Sequence, residues 1–220
     1  MSNFCYTPPV DTGLDVIYQD ELLIVVNKPS GLLSVPGRGV DKQDCMITRI
    51  QQCFADALTV HRLDMETSGI LLFARNKTVH RLLSRAFQER EVEKQYTAVV
   101  AGVLERETGE IDLPLICDWP NRPRQKVDHE VGKPSLTRYQ RLSYDAVLDA
   151  TRVALSPVTG RSHQLRVHML SLGHAILGDP LYAPPDVKAK AIRLQLHANK
   201  MLIQHPVSGE PLQLCSEPPF

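Results

Sequence analysis

No stretch of this 220-residue chain approaches the ~20 consecutive apolar residues that a membrane-spanning helix requires. Met1 to Val10 contain no basic cluster followed by an apolar run, so no secretory signal is expected and cytoplasm is the default. Cysteine is scarce and patternless. The five, Cys5, Cys45, Cys53, Cys117 and Cys215, form no CxxC pair, which fits reduced thiols better than a disulfide framework or a zinc site. Net charge is missing too: 25 Lys and Arg balance 25 Asp and Glu, which argues against a generic polyanion binder. There is no internal repeat and no low-complexity linker, so solenoids and flexible arrays are excluded.

What is present is charge sorted into blocks. Residues 1–24 hold four acids and no base. Between Asn121 and Arg141 the balance reverses, with Arg122, Arg124, Lys126, Lys133, Arg138 and Arg141 against Asp128 and Glu130. A second basic stretch runs through Arg75, Lys77, Arg81, Arg85, Arg90 and Lys94. Such segregation permits a positive face on a neutral protein, although solvated helix and loop faces give the same pattern.

Apolar periodicity predicts a mixture of elements without strict alternation. Leu22 to Val26, Ile70 to Ala74, Tyr96 to Val100, Thr137 to Leu142, Thr151 to Leu155 and Lys200 to His205 read as strands. Cys45 to Phe54 reads as a helix, and Asn76 as the cap of another over Lys77 to Arg90. Ser162 is positioned to cap a third helix that Gly173 stops, and Pro184-Pro185 mark a loop. The fold class expected is α+β, around a mixed, largely antiparallel sheet flanked by helices.

Two polar segments stand out against this background. His61-Arg62-Leu63-Asp64-Met65-Glu66-Thr67-Ser68-Gly69 puts a carboxylate next to an apolar strand, which is costly without a partner. About a hundred residues on, Gly160-Arg161-Ser162-His163-Gln164-Leu165-Arg166-Val167-His168 offers guanidinium groups. Together they suggest a site assembled by folding. Read alone, Asp64 is equally a structural acid in a buried ion pair. His163 and His168, five apart and without an HExxH pattern or a cysteine companion, read as packing or contact residues rather than metal ligands.

These segments resemble the catalytic and arginine motifs of the RluA family of RNA pseudouridine synthases. Asn27 to Gly37 resembles the opening of that family's domain, Glu93-Lys94-Gln95-Tyr96 its tyrosine motif, and Leu194-Gln195-Leu196-His197-Ala198 its late LxLHA element. The matches keep family order over roughly residues 20 to 205. The resemblance implies the pseudouridine synthase fold, a long sheet split by an RNA-binding cleft. Motifs that begin near Asn27 leave no room for an S4-type domain, so residues 1–220 are expected to form a single catalytic domain, as in the family's short members. Those members imply two substrates, a hairpin-loop uridine of 23S ribosomal RNA and one in the tRNA anticodon stem-loop.

The reaction so implied breaks the bond from sugar C1′ to uracil N1, turns the base, and rejoins it through C5. No redox change occurs and no atom is lost, so neither metal nor organic cofactor is expected. Asp64 is then the catalytic carboxylate, either adding to base or sugar or removing a sugar proton. Arg166 is its family-like partner, whose planar fork orients a carboxylate as lysine would not. Tyr96 is the stacking platform for the target uracil, a contact of ~1–3 kcal/mol. Arg62 enters the space the flipped uridine leaves, at an unstacking cost of a few kcal/mol. Arg161 and His163 are expected to meet RNA. Arg122, Arg124 and Lys126, in a loop over Asn121 to Arg141, would grip its phosphates and supply affinity and salt dependence rather than base choice. Lys28, Pro29 and Gly31 shape the floor of the site rather than react. A monomer is the default. Two other readings compete: a hydrolase using Asp64 with Glu66, and a catalytically silent RNA-binding module.

Overall fold

A computed structural model describes residues 6–220; Cys5 lies outside them. The chain forms two compact units, one holding the chain up to Val92 together with Ala198–Glu217, the other Glu93–His197 with Pro218–Phe220.

The first unit begins with β1 (Val16–Gln19) and β2 (Leu23–Lys28), then α1 (Met46–Cys53), β3 (Leu58–Thr59), β4 (Ser68–Ala74) and α2 (Lys77–Glu89). Every residue of β4 is buried, as its unbroken apolar run requires. It pairs antiparallel with β2, from Leu23 opposite Ala74 to Lys28 opposite Gly69. In α2, Asn76 accepts a hydrogen bond from Val79 N at the start, and Arg90 closes the helix in the left-handed conformation. Val79 and Leu83 bury the apolar face of α2 against Ile70, Leu72 and Ala74.

The second unit continues with β5 (Glu93–Ala101), β6 (Thr108–Asp112), β7 (Leu115–Cys117), β8 (Gln125–Val127), β9 (Leu136–Asp145), β10 (Ala150–Pro157), α3 (Gln164–Ser171) and α4 (Pro185–Ala189). Its strands run β5-β10-β9-β6, with β7 and β8 as a separate hairpin. Each of the β5–β10, β10–β9, β9–β6 and β7–β8 ladders is antiparallel. A core of Ala98, Val153, Leu155, Leu165, Met169 and Ile176 lies beneath. The chain then returns through β11 (Leu196–Gln204) to β12 (Pro211–Cys215), and Met201, Ile203 and Leu214 join the core of the first unit.

The α+β class is confirmed, with three corrections. Residues 121–141 are not one loop, because β8 and half of β9 fall inside them. Pro185 opens α4 rather than a loop, since the first helical position wants no N–H and proline's fixed φ suits it. The residue that caps α3 is His163, not Ser162, and it does so by its backbone, at φ 54°.

Candidate active site

In the first unit the loop between β3 and β4, residues 60–67, carries Asp64, half-buried, and Arg62, exposed. Its backbone is clamped from the segment after β2. Lys28 is completely buried (0% exposed). Its ammonium donates to the carbonyls of Pro29 (2.8 Å), Leu32 (2.6 Å) and Met65 (2.9 Å). Gly31 N also donates to Met65 O (2.9 Å), and Ser30 Oγ to Glu66 O (2.7 Å). Ser34 Oγ donates to Leu63 O at 2.7 Å and accepts from Leu63 N at 3.0 Å. A turn from Asp64 O to Thr67 N (3.1 Å) completes the hold. The residues on either side of Asp64 are thus tied to one short segment, which fixes where its Cα can be. This is what Lys28 and Gly31 contribute.

Two further details lock the loop's ends. His61 Nε2 accepts a hydrogen bond from Leu72 N (3.0 Å), so the proton sits on Nδ1, and the ring stacks on Phe87 with centroids 4.6 Å apart. Gly69 has φ 110°, and a Cβ there would lie 2.6 Å from Ala198 N, so any other residue would displace backbone.

In the second unit the arginine motif is bolted down by side chains. Gln164 Oε1 accepts from Thr159 Oγ1 (2.7 Å) and Arg161 N (3.0 Å), while its Nε2 donates to Leu136 O and Thr137 Oγ1, both at 3.0 Å. Leu113 O can only accept, so His168 Nε2 donates to it (3.1 Å), and in the neutral ring Nδ1 accepts from Thr137 Oγ1 (2.9 Å). A neutral imidazole satisfies this network, and burial pushes the His168 pKa below the usual histidine value.

That depression has a sign. Unfolded His168 takes a proton near pH 6.5 while the folded one resists it. Its contribution is therefore complete above that pH and is lost as pH falls toward the lower folded value. In urea titrations, wild type should lose stability between about pH 7 and about pH 5.5 more steeply than His168→Gln, by at most about 1.4 kcal/mol per pH unit. Parallel losses in the two proteins would show that His168 titrates alike in both states.

Arg166 is only 2% exposed on its side chain and meets Asp179, itself at 1%, in a two-pronged pair: Nε to Oδ2 at 2.7 Å and Nη2 to Oδ1 at 2.6 Å. Asp179 Oδ1 also accepts from Leu181 N (2.9 Å) and Tyr182 N (3.1 Å). Tyr182 is a hub. Its ring centroid lies 5.0 Å from the Arg166 guanidinium and 5.8 Å from that of Arg124. Its hydroxyl accepts from Gln125 N at 2.7 Å and lies 2.7 Å from His163 Nδ1. Arg124 also donates to Leu181 O.

Within this unit the fold therefore gathers Arg166, His163 and Arg124 around two residues that sequence reasoning did not single out, Asp179 and Tyr182. A signal for Asp179 was present: a lone acid directly after Ala175-Ile176-Leu177-Gly178 needs a buried partner. The other expected residues have these surroundings. Tyr96 sits half-buried on β5 opposite Leu155, and burial lowers the pKa of Lys94, two residues before it. Arg161 is exposed, with Nε on Pro134 O at 3.3 Å. Arg122 lies over Trp119, and Lys126 pairs with Asp128 at 3.3 Å. Among the described residues no cluster of three or more His, Cys, Asp or Glu is placed to hold a metal ion. No helix among them is long and apolar enough to cross a membrane.

Comparison with known proteins bears on this arrangement. A family profile described as RNA pseudouridylate synthase matches residues 22–171. The dual-specificity RNA pseudouridine synthase RluA of Yersinia pestis is 57% identical over 205 residues, which cover 93% of this chain and 99% of that protein. Its counterpart in Pasteurella multocida is 51% identical over the full length of both chains. Among solved structures, human RNA pseudouridylate synthase domain containing 1 superposes with a TM-score of 0.81 at 30% identity, over 97% of this chain and 87% of that one.

Proposed function

The chain belongs to the RluA family of RNA pseudouridine synthases, and from that membership we propose that it isomerises specific uridines to pseudouridine in stem-loops, in 23S ribosomal RNA and in the tRNA anticodon stem-loop. The observation that carries this is end-to-end identity of 51% with a dual-specificity relative, joined to a clamped loop that presents Asp64. A protein that only held RNA would need no such control over one carboxylate.

In this reading Asp64 attacks or deprotonates, Arg166 orients charge during the reaction, and Tyr96 stacks on the target uracil. Arg62, exposed on the loop beside Asp64, fills the space the flipped nucleotide leaves. Arg161, His163, Arg122, Arg124 and Lys126 face phosphate or the loop nucleotides. Arg124 and His163 do so while braced on Tyr182. The enzyme acts in the cytoplasm, as a monomer and without a cofactor.

The test is tritium release from transcripts carrying [5-³H]uridine, because joining C5 to C1′ expels the hydrogen of C5. Wild type should release tritium from both an anticodon stem-loop and the ribosomal hairpin with strand length unchanged, and Glu66→Gln should retain most of that activity. A shortened strand or a lost base, abolished by Glu66→Gln, would replace this reading with the hydrolase.

A further inference from the structure

The hairpin of the second unit holds an aromatic residue that the isomerisation does not use. Trp119 is the chain's one tryptophan. It opens a short 3-10 turn, Trp119–Asn121, between β7 and β8, and is 65% exposed. The Arg122 guanidinium carbon sits 4.5 Å from the ring centroid. With one face under that cation and most of the side chain open, the indole offers its other face to solvent.

The turn around it is fixed. Asn121 N donates to Asp118 O (3.0 Å), Arg124 N to Asn121 O (3.0 Å) and Asp118 N to Arg124 O (2.9 Å). Asn121 Nδ2 reaches Asp118 Oδ2 at 2.9 Å. Pro120 within the turn and Pro123 just after it each have a fixed φ. Single exposed apolar residues are ordinary, but an indole carried on a hydrogen-bonded turn beneath a guanidinium is a ready stacking surface. Its surroundings define the partner. A protein-docking tryptophan sits among apolar neighbours; this one sits among prolines and the exposed cations Arg122, Arg124 and Lys126. A flat apolar face flanked by positive charge suits an unpaired nucleobase on a phosphate backbone.

We propose that Trp119, backed by Arg122, is a stacking platform for an unpaired base of the substrate RNA loop, a base other than the uridine that is isomerised. The proposal rests on the RNA-modifying function above and adds a second point of base contact to it. Loops with an unpaired base in reach are then favoured over duplex, which buries its base faces.

The single tryptophan makes the test direct. Its emission is followed in Asp64→Asn protein, which holds RNA without turnover, as the anticodon stem-loop is added, and then as a blunt duplex of equal length or inorganic polyphosphate is added. The stem-loop should quench emission and the other two should not. Trp119→Ala should weaken stem-loop binding by about 5- to 150-fold, and Trp119→Phe should recover most of the loss, with circular dichroism confirming both variants folded. Unquenched emission with unchanged affinity in Trp119→Ala would overturn the platform, as would equal quenching by duplex. Tritium release by wild type is read separately. Isomerisation without quenching removes the platform alone, and quenching by the loop without release keeps the platform while removing the isomerase.

Discussion

Asp64→Asn is expected to lower tritium release by on the order of 10⁴-fold or more, the scale seen when a reacting side chain is removed, while RNA binding stays within a few-fold. The amide keeps the shape of the carboxylate and loses its charge and nucleophilicity. The loop that carries it should not move, because its hold runs through Lys28, Gly31, Ser30 and Ser34 to backbone carbonyls. Single-turnover release with enzyme in excess separates chemistry from binding. Activity within tenfold of wild type would remove Asp64 from the reaction and return the silent binding module as the leading reading.

The second large effect concerns stability. Asp179→Ala takes from Arg166, 2% exposed, the carboxylate that grips it through two nitrogens. It also strands the Leu181 and Tyr182 amides that share Asp179 Oδ1. A buried ion pair adds little over an apolar pair of the same size, but breaking one from a single side costs about 3–5 kcal/mol. Against a total stability of ~5–15 kcal/mol, at ~2–4 °C per kcal/mol for a chain of this size, the melting temperature should fall by about 6–20 °C. Asp179→Asn, which keeps shape and some acceptor capacity, should fall between. A drop of a degree or two in the alanine variant would mean that water or another acid takes over.

The sequence showed its regular elements where periodicity was strong. The buried run of β4 and the Asn76-capped face of α2 were legible because one face, or both, must leave water. The β7–β8 hairpin was not, since Leu115–Cys117 and Gln125–Val127 are three residues each and charge dominates the second. Asp64 was singled out from its motif. Its clamp was not: Lys28 reaches Met65 across the β2–β4 ladder, a contact that exists only once the strands pair. Arg166 was picked out without Asp179: the apolar run before Asp179 signals a buried acid, but nothing local says which cation, thirteen residues back, it pairs with. His163 was noted for its ring, whereas its left-handed backbone at the head of α3 has no signal in the sequence. Residues 121–141 were read as one loop on their basic composition, although Thr137 to Leu142 was read as a strand and is part of β9; what escaped notice was the three-residue β8.

The first unit is interrupted in sequence: the chain up to Val92 is completed only by Ala198–Glu217, whose Met201, Ile203 and Leu214 share its core. On the ribosome, the segment 93–197 must be made in between, which at ~5–20 residues per second takes on the order of 5–20 s. The intervening unit can therefore fold while β2, β4 and α2, already synthesised, still wait for their last strands. The loop bearing Asp64 emerges early and is finished late. A nascent chain passes through an interval in which apolar β4 lacks its full cover, and this is the window in which a chaperone or slowed translation would matter to yield.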